Sequence, residues 1–156
     1  MIYLTASIKY TDRSSGSAMG RDTEIGQGAA LKKDGQVFVA IIEDNRDIAA
    51  LYVTLIEMQG LHLSFIANNG IESVKAFKNA PKAPDVILID HRMPLMSGME
   101  AMKEILTISP SARFIFISAD ESMKQEALAA GAKAFLRKPA SRKEIIETIS
   151  RVLHAG

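Results

Sequence analysis

The chain has no cysteine and no tryptophan, and aromatic residues make up only 6% of it. Without cysteine, disulfides, thiolate zinc sites and cysteine nucleophiles are excluded. No apolar run approaches the ~20 residues that a membrane span requires. The first residues lack the basic segment and long apolar core of a secretion signal. The expectation is therefore a cytoplasmic protein with no membrane contact. An excess of one charge is also missing. Nineteen Lys and Arg face 18 Asp and Glu, for a net charge of +1, which gives no general attraction to nucleic acid.

What is present is enough to fold. In 156 residues, 47% hydrophobic and 24% charged, there is material for one soluble domain with a core. Residues 1 to 35 stand apart. Ile2, Leu4, Ala6 and Ile8 alternate with polar or small residues and suggest a short edge strand. Arg13-Ser14-Ser15-Gly16-Ser17-Ala18-Met19-Gly20 reads as linker. The segment is expected to be a flexible N-terminal extension without a function of its own.

From residue 36 to 154 the pattern is strand then helix, five times over. Val37 to Ile42 is an apolar run ending at Glu43-Asp44. A helix follows, with an apolar stripe at Ile48, Leu51, Tyr52, Leu55 and Ile56, and Gly60 caps it. Leu61 to Ala67 is the second strand, Asn68-Asn69-Gly70 a turn, and Ile71, Val74 and Phe77 mark a short helix. Val86-Ile87-Leu88-Ile89 is β-branched and short, the mark of a strand buried on both faces. It ends at Asp90. Ser97-Gly98-Met99-Glu100 has the spacing of a capping box and opens a helix with Met99, Met102, Ile105 and Leu106 inward. Arg113 to Ile117 is a strand ending at Ser118. A helix runs from about Ser122 to Ala130. Ala134 to Arg137 is a strand ending at Lys138-Pro139. A second capping box, Ser141 to Glu144, opens the last helix, with Ile145, Ile146, Ile149, Val152 and Leu153 on one face. Strands alternating with helices predict an α/β domain with a parallel sheet covered on both faces.

In such a sheet the carboxyl ends of the strands lie along one edge, where ligands bind. That edge collects Glu43, Asp44, Asp90, Ser118 and Lys138. An isolated Asp at a strand end usually caps its loop. Three carboxylates together would instead repel one another and raise their pKa values, unless a cation sits among them. Carboxylate oxygens with no cysteine or histidine suit Mg²⁺. With an ammonium and a hydroxyl added, the edge fits a dianionic phosphoryl group. The chemistry it supports is phosphoryl transfer onto a carboxylate. Asp90, at the end of the central strand, is the nucleophile. Glu43 and Asp44 would hold the metal, Lys138 would pair with Asp90 and then with the phosphoryl group, and Ser118 would donate to a phosphoryl oxygen.

Ile42-Glu43-Asp44-Asn45, Ile89-Asp90-His91-Arg92-Met93-Pro94-Leu95-Met96-Ser97-Gly98, Ile117-Ser118-Ala119 and Lys138-Pro139, in this order, resemble the receiver domain of two-component response regulators, the single-domain chemotaxis-regulator type included. The resemblance covers residues 36 to 154. It implies a flavodoxin-like fold with strand order 2-1-3-4-5. It implies that Asp90 takes phosphate from a phosphohistidine on a sensor histidine kinase or a phosphotransfer protein. Asp44 and Asp90 would bind Mg²⁺, with the backbone carbonyl of Arg92 as a further ligand and Glu43 assisting. Ser118 and Phe135 would be the switch pair, and the bond before Pro139 would be cis, as in ~5% of X-Pro bonds. Phosphorylation adds about −1.5 to −2 charge. Ser118 is then drawn to the phosphoryl group, Phe135 turns into the space it leaves, and the face of the fourth helix, fifth strand and fifth helix changes shape for a protein partner. Such a module slowly hydrolyses its own aspartyl-phosphate and is not a turnover enzyme.

Arg92 and Asp120, each two residues beyond a site residue, either flank the phosphoryl group, pair across it and limit access of water, or are solvated loop charges. His62, His91 and His154 read as packing or surface residues. The few residues after the fifth helix leave no room for a DNA-binding output domain, which suggests a stand-alone receiver or one excised from a longer protein. One alternative is a receiver-fold interaction module that never takes phosphate. Another is a Mg²⁺-dependent phosphatase, which would want an acid at the position of Arg92 and a cap over its substrate.

Overall fold

The structure, a computed structural model, describes residues 35–155. The expected edge strand and linker of the first residues fall outside that range. The described elements are β1 (Phe38–Ile42), α1 (Arg46–Met58), β2 (His62–Ala67), α2 (Gly70–Asn79), β3 (Val86–Asp90), α3 (Gly98–Ile108), β4 (Phe114–Ser118), a 3₁₀ turn (Glu121–Met123), α4 (Lys124–Ala130), β5 (Ala134–Arg137) and α5 (Arg142–His154). The strands form one parallel sheet in the order β2-β1-β3-β4-β5, as the resemblance implies.

The sheet is central because its middle strands cannot face water. Every residue of β3 and β4 is buried, so both faces need a cover of helices. Because side chains alternate along a strand, two cores result. On one face Val39, Ile41, Leu88, Ile115 and Ile117 pack with Leu55, Ile56, Ile145, Ile149 and Val152, which come from α1 and α5. On the other Ala40, Ile42, Ile87, Ile89, Phe114 and Phe116 pack with Val74, Met99, Met102, Ile105 and Ala127, from α2, α3 and α4.

Local chemistry sets the helix ends. Asn45 starts α1 by accepting from the N–H groups of Asp47 and Ile48, and Asn69 starts α2 by accepting from Glu72. Both capping boxes form, at Ser97/Glu100 and Ser141/Glu144. Past the end of α1, Gly60 has φ +73°, and Leu61 N–H returns to Ile56 O at 3.0 Å. That left-handed turn favours glycine.

Three expectations need correction. In α1, Leu51 is 67% exposed, while Ala49 is buried and Val53 packs against the core. The buried arc is rotated by about one residue from the stripe, because Leu51 lines an open groove between α1 and the start of α5, with Ala140, Arg142 and Ile145 on its far side. Ile71 is likewise exposed on α2. Gly70 is the first residue of α2 rather than part of a turn, and a Cβ there would collide with the backbone and side chain of Met96. Its smallness lets α2 pack against the β3–α3 loop.

Candidate functional site

The site lies at the carboxyl edge, where β1, β3, β4 and β5 all end. Glu43 and Asp44 follow β1, and Asp90 closes β3. Glu43 and Asp90 are buried and Asp44 is exposed. One oxygen from each lies within 4.8 Å of the others. Lys138 follows β5, and its Nζ stands 3.1 Å from Asp90 Oδ1 and 3.1 Å from Glu43 Oε2. Its backbone N–H donates to Ser118 O at 2.9 Å, and the Lys138–Pro139 bond is cis. Ser118 is buried at the end of β4, and its Oγ accepts from Asp120 N–H at 3.1 Å. The five residues expected at one edge are therefore gathered there.

Their electrostatics are unbalanced. Burial pushes the Asp90 carboxyl up, and the charge of Asp44 adds to the rise. The hydrogen bond and charge of Lys138, together with the His91 N–H, hold it back only in part. Burial also pushes Glu43 up, then Asp90, against Lys138 and the N–H of Asn45. For Lys138 burial acts downward, but its bonds to Asp90 and Glu43 outweigh it, and the net direction is up. One ammonium does not satisfy three carboxylates. The donor set is all oxygen, two of the three carboxylates are partly desolvated, and negative charge is in excess. That set fits a hard divalent cation of the Mg²⁺ kind.

The β3–α3 loop holds Asp90 from behind. Gly98 N–H donates to His91 O at 2.9 Å, and a Cβ on Gly98 would collide with the carbonyl oxygen of Asp90. Glycine is required by this approach. Leu95, at the loop's apex, has φ +70° with Met96 N–H on Pro94 O at 2.8 Å, a γ-turn in the left-handed region. It is 79% exposed.

Phe135 is half-buried on β5. Its ring stacks on Phe116 at 6.2 Å and 17°, packed against the face that carries the phenylalanines. Arg92 is exposed. Asp120 caps the 3₁₀ turn through Ser122. Bonds from the Ser122 hydroxyl and N–H hold its carboxyl below the usual range, with smaller help from the charges of Arg92 and His91. Among the described residues Arg92 and Asp120 make no ion pair with each other.

Two contributors escaped the sequence reading. Tyr52 was placed only in a core stripe. Its phenol is pushed up by burial first, and the charges of Lys138, Glu43 and Asp90 also act on it, so the field of the site reaches α1. His91, read as a packing residue, packs its ring on Phe116 at 5.7 Å, yet its Nδ1 is buried with no hydrogen-bond partner. Foreseeing His91 needed the register of β3 against β4, and foreseeing Tyr52 needed the packing of α1 over the site.

Comparison with known proteins agrees with the geometry. Residues 39–150 match the family model described as the response regulator receiver domain. The chemotaxis protein CheY of Thermotoga maritima is 34% identical over 116 residues, which is 73% of this chain and 95% of that protein. CheY of Bacillus subtilis is 32% identical over 118 residues, 74% of this chain and 97% of that protein. Among solved structures, the complex of CheX, CheY, BeF₃ and Mg²⁺ from Borrelia burgdorferi contains a chain with TM-score 0.73 and 28% identity. It covers 76% of this chain and 91% of that one.

Proposed function

Since the chain belongs to the response regulator receiver family, the phosphoacceptor modules of two-component signalling, we propose that Asp90 is its phosphoacceptor. The observation that carries this is the bridge from Lys138 Nζ to Asp90 and Glu43, at 3.1 Å each, inside a cluster of three carboxylates. Asp90 attacks the phosphorus of a phosphohistidine on a sensor kinase or phosphotransfer protein. The new O–P bond forms as the P–N bond breaks, and the donor imidazole leaves with the electron pair. Lys138 Nζ, next to Asp90 Oδ1, follows the charge onto the phosphoryl oxygens, and Ser118 Oγ–H donates to one of them. Glu43, Asp44, Asp90 and the carbonyl of Arg92 would hold Mg²⁺, which when bound neutralises phosphoryl charge. Phe135 turns toward the space Ser118 leaves, and the α4–β5–α5 face presents the new shape to a protein partner.

The unit that does this is the domain of residues 36–154. It is cytoplasmic, accepts one phosphoryl group and hydrolyses it slowly. No described helix is long and apolar enough to cross a membrane. The test is incubation with a small acyl phosphate and Mg²⁺, read by intact mass. The expected result is a gain of one phosphoryl group that disappears in Asp90→Asn. Absence of an adduct would mean an inert interaction module, and steady release of phosphate a phosphatase.

A further inference from the structure

Two polar groups beside the site bear on how the β4–α4 loop is held. The first is His91 Nδ1, among the described residues a buried side-chain nitrogen without a hydrogen-bond partner. A buried polar atom left unpaired is uncommon and calls for a physical reason. The ring is not loose. It packs on Phe116, whose other neighbour in the stack is Phe135, and its backbone carbonyl is tied to Gly98 N–H. The second group is the N–H of Asp120, which donates to Ser118 Oγ at 3.1 Å.

The sheet register sets the two loops that carry them side by side. Asp90 pairs with Ile117, so the next rung sets His91 across from Ser118. Asp120 lies two residues beyond Ser118, and its own N–H already meets Ser118 Oγ. On the reading that Asp90 takes the phosphoryl group, the Ser118 hydroxyl is drawn away to a phosphoryl oxygen. Asp120 N–H then loses its acceptor and turns either to water or to another protein acceptor.

We propose that His91 Nδ1 is that acceptor: the β4–α4 loop hands the Asp120 N–H from Ser118 Oγ in the resting state to His91 Nδ1 in the phosphorylated one. The handover needs Nδ1 to be the unprotonated ring nitrogen, whose lone pair accepts, with the ring proton on Nε2. No proton changes owner and no covalent bond is made. His91 is thus a positioning residue. It latches the loop after Ser118 has moved, and because its ring stacks on Phe116, the latch forms against the same aromatic row that ends at Phe135. Phe135 has no hydroxyl with which to hold the loop itself.

The test uses the full chain, with Mg²⁺ and beryllofluoride as the phosphoryl mimic, and follows the Asp120 amide by hydrogen exchange and the His91 ring by ¹⁵N NMR. In the unloaded parent, Ser118→Ala speeds exchange of the Asp120 amide and His91→Phe leaves it unchanged, which also reports that the ring replacement folds. In the loaded parent the Asp120 amide stays protected and the Nδ1 resonance takes the shift of an accepting nitrogen. In loaded His91→Phe the amide exchanges about tenfold faster. Loading is read separately, from the ¹⁹F signal of bound beryllofluoride. Loaded His91→Phe with parent-like protection at Asp120, or an unmoved Nδ1 signal in the loaded parent, overturns the handover alone. Failure of the parent to load overturns the phosphoacceptor reading and the handover with it.

Discussion

The two cores on either side of the sheet are made of different material. On the α1/α5 side the buried residues, among those described, are Val, Ile, Leu and Ala, with the aromatic ring of Tyr52 packed against them. On the α2/α3/α4 side Phe114, Phe116, Met99 and Met102 are buried, and Phe65, Phe77, Phe135, Met93, Met96 and Met123 pack around them. β-branched side chains are stiff at χ1, whereas thioethers adapt their shape at low cost. The residues assigned to switching, Ser118, Phe135 and His91, all belong to the second side. One layer is a fixed frame, and the other can absorb the turn of a ring.

The largest effect that tests this difference is a truncation in each layer. Ile56 is fully buried in the aliphatic layer, and Ile56→Ala is expected to cost about 3 kcal/mol. Beryllofluoride loading and its spectral changes at α4 and β5 should survive it. Phe116→Leu is expected to cost less, roughly 1–2 kcal/mol, yet to cut the response at Phe135, since it removes the ring between His91 and Phe135. Urea melts give the first quantity and amide shifts on loading the second. Equal loss of response in both variants would erase the distinction between frame and switch.

Next in size is the acidic edge where the layers meet. Asp90 and Glu43 have pKa values raised in the folded protein, chiefly by burial. For a carboxyl raised on folding, the folded state binds protons more tightly than the unfolded one. The contribution is present below the unfolded values of 3.8 and 4.5, and it is lost as pH rises through the folded values. At neutral pH and without metal these two carboxyls therefore cost stability, while the raised Lys138 beside them contributes it. Asp90→Asn should raise the melting temperature at pH 7. The gain should shrink to nothing as pH falls toward the unfolded values, where the parent carboxyl is itself protonated. Mg²⁺ should stabilise the parent at pH 7 and leave the variant nearly unmoved. A gain that grows in acid would reverse the sign and count against the account.

The same contrast explains what was legible in the sequence. Strands and helices were readable because burial on both faces writes continuous apolar runs such as Val86 to Ile89, and because caps such as Ser97/Glu100 and Ser141/Glu144 are local chemistry. The edge cluster followed from strand order, since each site residue stands at the end of an apolar run. Relations across strands were hidden. Nothing near His91 in the chain announces Phe116, and nothing near Gly98 announces the carbonyl it must clear. The exposure of Leu51 was hidden for the same reason, since the arc that α1 buries depends on α5, far away in the sequence.

A smaller effect concerns the mouth of the site. Arg92 and Asp120 stand on the two loops that flank Asp90, and Arg92 is among the charges that lower the Asp120 carboxyl. We propose that they restrict the water that hydrolyses the aspartyl-phosphate. Arg92→Ala and Asp120→Ala should each speed autodephosphorylation severalfold, about 1 kcal/mol or less in barrier, as followed by phosphate release after a pulse of acyl phosphate. Unchanged rates in both would mean the two charges are ordinary loop residues. Asp120→Ala is the more informative of the two, because it also removes the cap on Ser122 while keeping the N–H that the handover to His91 needs.

The smallest effect asks on which side of the comparison the β3–α3 loop belongs. It carries Met93 and Met96 into the adaptable layer, but Gly98 pins it to Asp90 and Gly70 lets α2 close on it. Leu95 holds φ +70° at its apex with its side chain almost wholly in water. A left-handed turn at a leucine costs about 1 kcal/mol or more, and a side chain so exposed returns little by packing. Glycine would remove the strain but add freedom to the unfolded chain. Leu95→Gly is therefore expected to stabilise by only about 0.5 kcal/mol, readable as a shift in the urea midpoint at unchanged slope. If the loop is part of the frame, loading by beryllofluoride keeps its parent affinity. If the strain is released on switching, the variant loads more weakly, since glycine has already relieved the resting state of the cost that loading would have removed.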